Sequence, residues 1–248
     1  MMEQEERRRI EDLLDRCEHR GIMTSTGFLT PAQAYSLEEF IRSRPEVRCL
    51  LSGGITGCER QAAFFLPWYL QEEDFRIEEQ IKAVKLQSYF GTPSHRDYMG
   101  AVLGLGIRRE WLGDILVEGD CAYLFCLPSV LPAILELTQV GKVAVKAAEL
   151  PLDAVPHPEK KVREIRFTVK SLRLDAVTGD LFGISRTKAA EAIRLGLVSL
   201  NYELCQKPDA EVKEGDVLSL KGKGKGKILA LGGKSKKDRL FLQAERYL

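Results

Sequence analysis

Apolar positions along the chain follow different rhythms in successive stretches. Ile10, Leu13, Leu14 and Cys17 recur at helical spacing inside a charged segment, which predicts an amphipathic helix near residues 4–20. Thr30 before Pro31 is a helix start, with Thr30 as the N-cap and Pro31 at the first helical position. That helix should run to about Ser43, ahead of Pro45. The apolar runs Val47–Leu51 and Ala62–Leu70 flank a glycine-containing stretch, Ser52 to Glu59, and read as two strands joined by a loop. This first α/β region closes near Glu78.

A second rhythm follows. Ile81–Tyr89 is strand-like. Ser94 can cap a helix to about Leu105, with Asp97 three residues on as its capping-box partner. Asp114–Val117 and Ala122–Cys126 are short strands around the turn Glu118-Gly119-Asp120. Ser129–Leu137 reads as a helix and Lys142–Leu150 as a strand. The order βαββαβ is that of a ferredoxin-like or RRM-like split βαβ unit. Pro151, Pro156 and Pro158 then break the pattern and predict a linker of about a dozen residues.

The last stretch opens on strand-like Val162–Val169. Ser171 can cap a helix from Leu172 to about Leu181, and Ser185 a second from Arg186 to Leu195, closed by Gly196. Short strands follow at Val198–Leu200, Val217–Leu220, Lys227–Leu231 and Arg239–Tyr247. The domains predicted are 1–78, 79–160 and 161–248.

Composition narrows the class. Of 248 residues, 44% are hydrophobic and 29% charged, which suits a globular chain of several small domains. No apolar stretch nears the roughly 18 residues of a membrane span, and the charged N-terminus lacks a secretory core. A cytoplasmic protein is expected, without a membrane partner. The six cysteines include no CxxC pair, so reduced thiols are expected rather than a disulfide or zinc site. The net charge of +1 hides an asymmetry. From Ile165 onward there are 17 Lys and Arg against 10 Asp and Glu, whereas the preceding residues hold 20 against 26. Such segregation points the C-terminal end at a polyanion.

The helix starting at Ser185 offers free backbone N–H groups and a positive dipole end to a phosphate. Arg186, Thr187 and Lys188 stand in its first turn, and Arg194 lies about 80° around from Arg186. Arg173 begins the preceding helix. This much cation at the starts of a short αα unit suits a bent RNA backbone, since sequence readout in A-form grooves is poor.

The same residues resemble the S4 signature in order and spacing. They are Arg173-Leu174-Asp175, Ser185-Arg186-Thr187-Lys188-Ala189, Ile193 through Asn201, Lys207-Pro208, and Gly215-Asp216. The S4 family has Gly after the Asn, whereas this chain has Tyr202, so the hairpin turn differs and can present an aromatic ring. Four further stretches look like the bacterial YlmH family: Phe167 to Asp175, Lys221 to Lys227, Ser94-His95-Arg96-Asp97, and Leu105 to Glu110 followed by Gly113-Asp114-Ile115. That resemblance implies a ribosome-associated, non-enzymatic factor acting on the large subunit carrying peptidyl-tRNA, in rescue of stalled chains. It covers the middle and last regions better than the first 80 residues.

The expected RNA-binding residues are Arg173, Ser185, Arg186, Thr187, Lys188, Arg194, Asn201 and Lys207. To these the tract KGKGKGK adds Lys221, Lys223, Lys225 and Lys227, read as a mobile phosphate-contacting finger with its lysines on one side when extended. Lys234, Lys236 and Lys237 form a second basic cluster. Secondary RNA contacts are expected at His95, Arg96, Arg108 and Arg109, the last two beside Trp111. Tyr123 and Phe125 alternate on one strand and could stack bases as RRM aromatics do, although paired strand aromatics are more often core.

Several fragments imitate enzymes. Arg173-Leu174-Asp175-Ala176-Val177-Thr178-Gly179 resembles the catalytic loop of pseudouridine synthases but lacks its Ser, and about 70 residues after it are too few for a synthase domain. No catalytic or metal-ligating residue is assigned and no cofactor is implied. The alternative is an RNA-modifying enzyme that uses the basic module as a targeting arm. The fold class expected is α+β, with an N-terminal α/β region, a central ferredoxin-like βαββαβ domain and a C-terminal S4 domain of the αL type. Its expected partners are rRNA or tRNA and the large ribosomal subunit, with no DNA.

Overall fold

The computed structural model describes residues 4–157, 162–234 and 238–247. The chain forms two compact units, residues 1–158 and 159–248. Among the described residues no helix is long and apolar enough to cross a membrane.

The first unit runs α1 (Gln4–Arg20), β1 (Thr24–Leu29), α2 (Pro31–Arg42), β2 (Cys49–Ser52), β3 (Gln61–Phe65), α3 (Ile77–Gln80), β4 (Lys82–Ser88), α4 (His95–Gly104), β5 (Leu112–Glu118), β6 (Cys121–Cys126), α5 (Leu131–Leu135), β7 (Gln139–Val140) and β8 (Val143–Leu150). Local signals place the helix starts. Thr30 and Ser94 each accept a bond from the backbone three residues on, and Gln33 and Asp97 return the bond to the cap. Strand β1 escapes a periodicity reading because Thr24 and Thr26 are polar yet buried; the Thr26 hydroxyl takes the N–H of Ala63 at 2.9 Å. The helix expected over Ser129–Leu137 shrinks to a 3-10 turn and the five residues of α5.

Strands β1, β3 and β2 make a three-stranded antiparallel sheet in that order. Alternation along β3 splits its side chains between two cores. Ala63 and Phe65 pack with Ile10, Leu14, Cys17 and Leu37 of α1 and α2. Ala62 and Phe64 point the other way, into a cluster with Phe28, Ile81, Ala83 and Phe125. The second sheet has the order β5-β6-β4-β8-β7 and is antiparallel throughout. With β4, β5, β6 and β8 as the four strands of the split βαβ unit, this is the ferredoxin-like order. Its other face, through Val84, Leu86 and Leu124, packs on Tyr98 and Val102 of α4 and Ile134 of α5. The predicted linker is partly structured: Leu152–Ala154 is a 3-10 turn, and Leu152 and Val155 are buried in the cluster around Phe28. Two apolar side chains in a proline-rich stretch suffice to hold it down.

The second unit runs β9 (Val162–Val169), α6 (Leu174–Phe182), α7 (Arg186–Arg194), β10 (Val198–Leu200), β11 (Glu203–Leu204), β12 (Val217–Leu220), β13 (Gly224–Lys234) and β14 (Leu240–Tyr247). Its strands form a six-stranded sheet in the order β11-β10-β12-β13-β14-β9. The first strand of the unit pairs antiparallel with the last over eight residues, Val162 with Tyr247 through Val169 with Leu240. Leu174, Val177, Leu181 and Phe182 of α6 and Ile193 of α7 bury against Leu218, Ile228, Leu242 and Ala244. Ser171 does not cap α6. The N-cap is Arg173, without a side-chain cap bond, because Leu172 accepts the N–H of Val212 and Arg173 bridges to Glu211, which keeps both extended.

Candidate nucleic-acid interface

The starts of α6 and α7 lie side by side. Gly183 ends α6 in a left-handed conformation, at φ +66°, and Ser185 caps α7 two residues later, its hydroxyl accepting the N–H of Lys188 at 3.3 Å. Gly179 permits this closeness, since a Cβ there would stand 3.1 Å from the carbonyl oxygen of Ile184. The turn that begins at Lys207 latches onto the first turn of α6. Pro208 accepts the N–H of Asp175 at 2.9 Å and Ala210 that of Leu174 at 2.8 Å.

Asp175 organises the cations of this corner. Arg173 approaches it through Nε at 3.3 Å and Nη2 at 3.1 Å, and Arg186 through Nη2 at 3.2 Å. The side chains of Arg173 and Arg186 remain 43% and 53% exposed while that of Asp175 is 7% exposed, so the carboxylate is the hidden hub and the guanidiniums face outward. Burial pushes the Asp175 carboxyl up, but the bonds and charges of Arg173 and Arg186 outweigh it and hold the group below its ordinary value. Two arginines on one carboxylate leave a net positive charge beside the open N–H groups of α7. Thr187 and Lys188 are exposed in the same turn, and Lys207 is exposed on the latched turn.

Other predicted residues stand apart. Arg194 is exposed in the last turn of α7, about 12 Å along the axis from Arg186. The Asn201 amide locks a turn, donating to Asp216 at 2.8 Å and accepting the N–H of Val217 at 2.9 Å. Asn201 and Tyr202 have φ of 51° and 69° and form the two-residue link between β10 and β11. This is the type I′ pattern, in which Gly relieves strain at the position Tyr202 holds.

The lysine tract is a hairpin, not a mobile finger. Lys221-Gly222-Lys223 turns from β12 into β13, which begins at Gly224. Gly226 answers to packing, since a Cβ on it would meet the Glu245 carbonyl oxygen at 2.9 Å and the Leu181 side chain at 3.1 Å, while Gly222 and Gly224 hold the turn at φ +79° and +101°. Since Gly226 faces α6, Lys225 and Lys227 face away from the helices, and Lys225 Nζ lies 5.1 Å from the Tyr247 ring centre and 5.8 Å from that of Tyr202. The cluster of Lys234, Lys236 and Lys237 lies outside what is described of those residues.

In the first unit, His95 and Arg96 are exposed in the first turn of α4. Arg108 is exposed, 5.3 Å from the Trp111 ring centre and 3.8 Å from Glu110. Arg109 instead turns inward, donating to the carbonyls of Leu112 at 2.6 Å and Gly113 at 3.1 Å. Arg60, which no sequence pattern singles out, donates to Leu112 at 3.1 Å and Phe28 at 2.6 Å, while Asp114 accepts its backbone N–H at 3.2 Å. Phe125 is fully buried between the two sheets and is unavailable for stacking.

Comparison with known proteins identifies the domains that carry these residues. Residues 172–218 match the S4 domain model, and residues 71–154 match the model described as the putative RNA-binding domain in YlmH. The ribosome-associated protein quality control protein P2 of Bacillus subtilis (strain 168) is 32% identical over 225 residues, covering 90% of this chain and 87% of that protein. The solved structure of the cell division protein ylmH from Streptococcus pneumoniae superposes with a TM-score of 0.53 at 21% identity, over 63% of this chain and 98% of that one, and so shares its fold. With both domain models matched and a relative aligned over nine-tenths of this chain, the chain belongs to the YlmH family of S4-domain RNA-binding proteins.

Proposed function

We propose that the chain binds structured rRNA or tRNA through the paired starts of α6 and α7, and that it acts as a non-enzymatic factor on large ribosomal subunits carrying peptidyl-tRNA in the rescue of stalled chains. The observation that carries this reading is the Asp175 hub, which fixes Arg173 and Arg186 as two outward guanidiniums next to the open end of α7. Arg173, Arg186, Lys188 and Lys207 neutralise phosphates there, and Arg194 extends the track along α7. Recognition is by backbone shape, as suits A-form RNA. The name of the Bacillus subtilis relative supports the ribosomal setting.

The test is affinity for a structured rRNA fragment against salt. Replacing Arg186 and Lys188 by Ala removes two phosphate partners and should flatten the log–log slope by about 1.4 to 1.8. Removing Arg8 and Arg20 from α1 is the charge-matched control. An unchanged slope in the first variant refutes the assigned surface. Mass spectrometry of rRNA from a deletion strain separates a binding factor from an enzyme, since a lost modification would favour the latter.

A further inference from the structure

The five-stranded sheet is covered on one face by α4 and α5, but its other face is covered only in part. At one end of that face Ala83 and Phe125 are sealed against Phe28, Ala62 and Phe64. Alternation carries the same face along β4 from Ala83 through Lys85 and Gln87 to Tyr89, while Val84, Leu86 and Ser88 point into the helix side and are buried. The register sets Tyr123 opposite Lys85, and Lys146 opposite Gln87. Tyr89 continues the pairing past the strand end, donating its N–H to Ala144 at 3.1 Å. Phe90 follows. Tyr89 and Phe90 are 59% and 87% exposed, the most exposed pair of consecutive aromatics among the described residues of the unit.

This loop is held rather than loose. The buried Ser88 hydroxyl lies 2.8 Å from the Gly91 carbonyl oxygen and 2.9 Å from that of Asp120. Gly91 adopts φ +86°, and a Cβ there would touch Val143, which puts the turn carrying Lys142 alongside. Cations therefore flank the aromatics: Lys85 and Lys146 on the sheet and Lys142 in the adjoining turn. Two nearby carboxylates are engaged, Asp97 in the α4 capping box and Asp120 by Gln87 Nε2 at 2.8 Å. Glu118, opposite Cys121 on β5, is a carboxylate close to Tyr123 on this face.

We propose that this open half of the sheet, from Tyr123 and Lys85 to Tyr89 and Phe90, is a second RNA site that takes unpaired bases of a single strand. Exposed rings set among lysines are the recognition chemistry of a stacking platform, with π faces for bases and ammonium groups for the phosphates between them. The proposal rests on the RNA-binding reading above but uses a different surface. Phe125 is fully buried in the core on this face, and Tyr123, half-buried against the same core, marks where the open part begins.

The test uses the full chain and two probes, a fluorescein-labelled oligo(A) and the structured rRNA fragment. Replacing Tyr89 and Phe90 by Ala should weaken oligo(A) binding about 5- to 150-fold with its salt slope intact, and leave the structured probe unaffected. Replacing Lys85 and Lys146 by Ala should flatten the oligo(A) slope by about 1.4. Because Tyr89 and Phe90 are exposed, an unchanged melting temperature should accompany the loss. Wild-type affinity in the aromatic variant overturns the proposal, as does failure of the wild-type chain to bind oligo(A) while its Arg186-dependent binding of the structured probe persists. Loss of a protein partner with oligo(A) binding unchanged would assign the patch to protein and also overturn it. Failure of the Arg186 variant alone would sink the S4 reading and leave this one standing.

Discussion

Asp175→Asn is the most informative single change. It keeps the shape of the side chain and removes its charge, so the two guanidiniums that share it lose their anion and keep only one neutral amide oxygen as acceptor. A hydrogen bond to a charged group contributes about 1.5–3 kcal/mol when its partners are buried. Here both arginines are half in water and can rehydrate, which discounts the loss to about 1–2 kcal/mol. For a unit of this size that is a fall in melting temperature of about 4–16 °C, read by calorimetry on the full chain. The effect on RNA discriminates more sharply. The variant is one unit more positive, so charge alone predicts tighter binding and a steeper salt slope. If Asp175 aims the arginines, affinity for the structured probe should instead fall about 5- to 30-fold, corresponding to about 1–2 kcal/mol. Tighter or unchanged binding would refute the hub. Acid should mimic the change. The carboxyl is held below its ordinary value in the folded state, so its contribution is complete above about pH 4, the unfolded value, and is lost as pH falls through the folded value. Asp175→Asn should remove that part of the acid sensitivity.

Other outcomes follow from particular contacts. Tyr202→Gly relieves a left-handed tyrosine and should raise stability by about 0.5–1 kcal/mol in a denaturant melt; a loss would mean that the ring contacts outweigh the strain. Gly226→Ala forces a methyl against Glu245 and Leu181 and should cost about 1–3 kcal/mol, whereas a flexible lysine finger would tolerate it. Burial pushes the Cys126 thiol up to about 12, so it should resist alkylation at pH 8 in the native chain and react on unfolding, as read by mass spectrometry.

Much of the fold is written in local signals. Thr30, Ser94 and Ser185 cap helices as their neighbours dictate, because a cap bond spans only three residues. The βαββαβ order is legible for the same reason, since each element carries its own period. Contacts that bring distant residues together are not legible. Nothing in the sequence ties Asp175 to Arg186, 11 positions on, or Arg60 to the carbonyl of Leu112, 52 positions on. Nor could alternation alone say that Phe125 faces a second sheet and not solvent, because the residues that cover it lie in another segment. Ser171 and the proline stretch fail through competition: a pairing with residues 211 and 212 overrides a plausible cap, and Leu152 and Val155 find a core despite the flanking prolines.

The lysine tract shows how a repetitive segment misleads. Alternating Gly and Lys suggests freedom, yet the same alternation on a paired strand sorts small residues to the packed face and charges to the other. Gly226 meets Leu181 of α6, so Lys225 and Lys227 stand on the side of the sheet opposite the Arg173–Arg186 corner. One RNA backbone can touch both sets only by wrapping around the sheet edge; otherwise the two sets serve separate contacts. Separate contacts should be energetically independent, so combining Arg186→Ala with the Lys225→Ala, Lys227→Ala pair should lower affinity by the sum of the separate losses, within about 0.5 kcal/mol. A single continuous track would couple them, since releasing one end of a wrapped strand releases the other. A double-mutant cycle with a coupling well above that figure would place both sets on one bound strand.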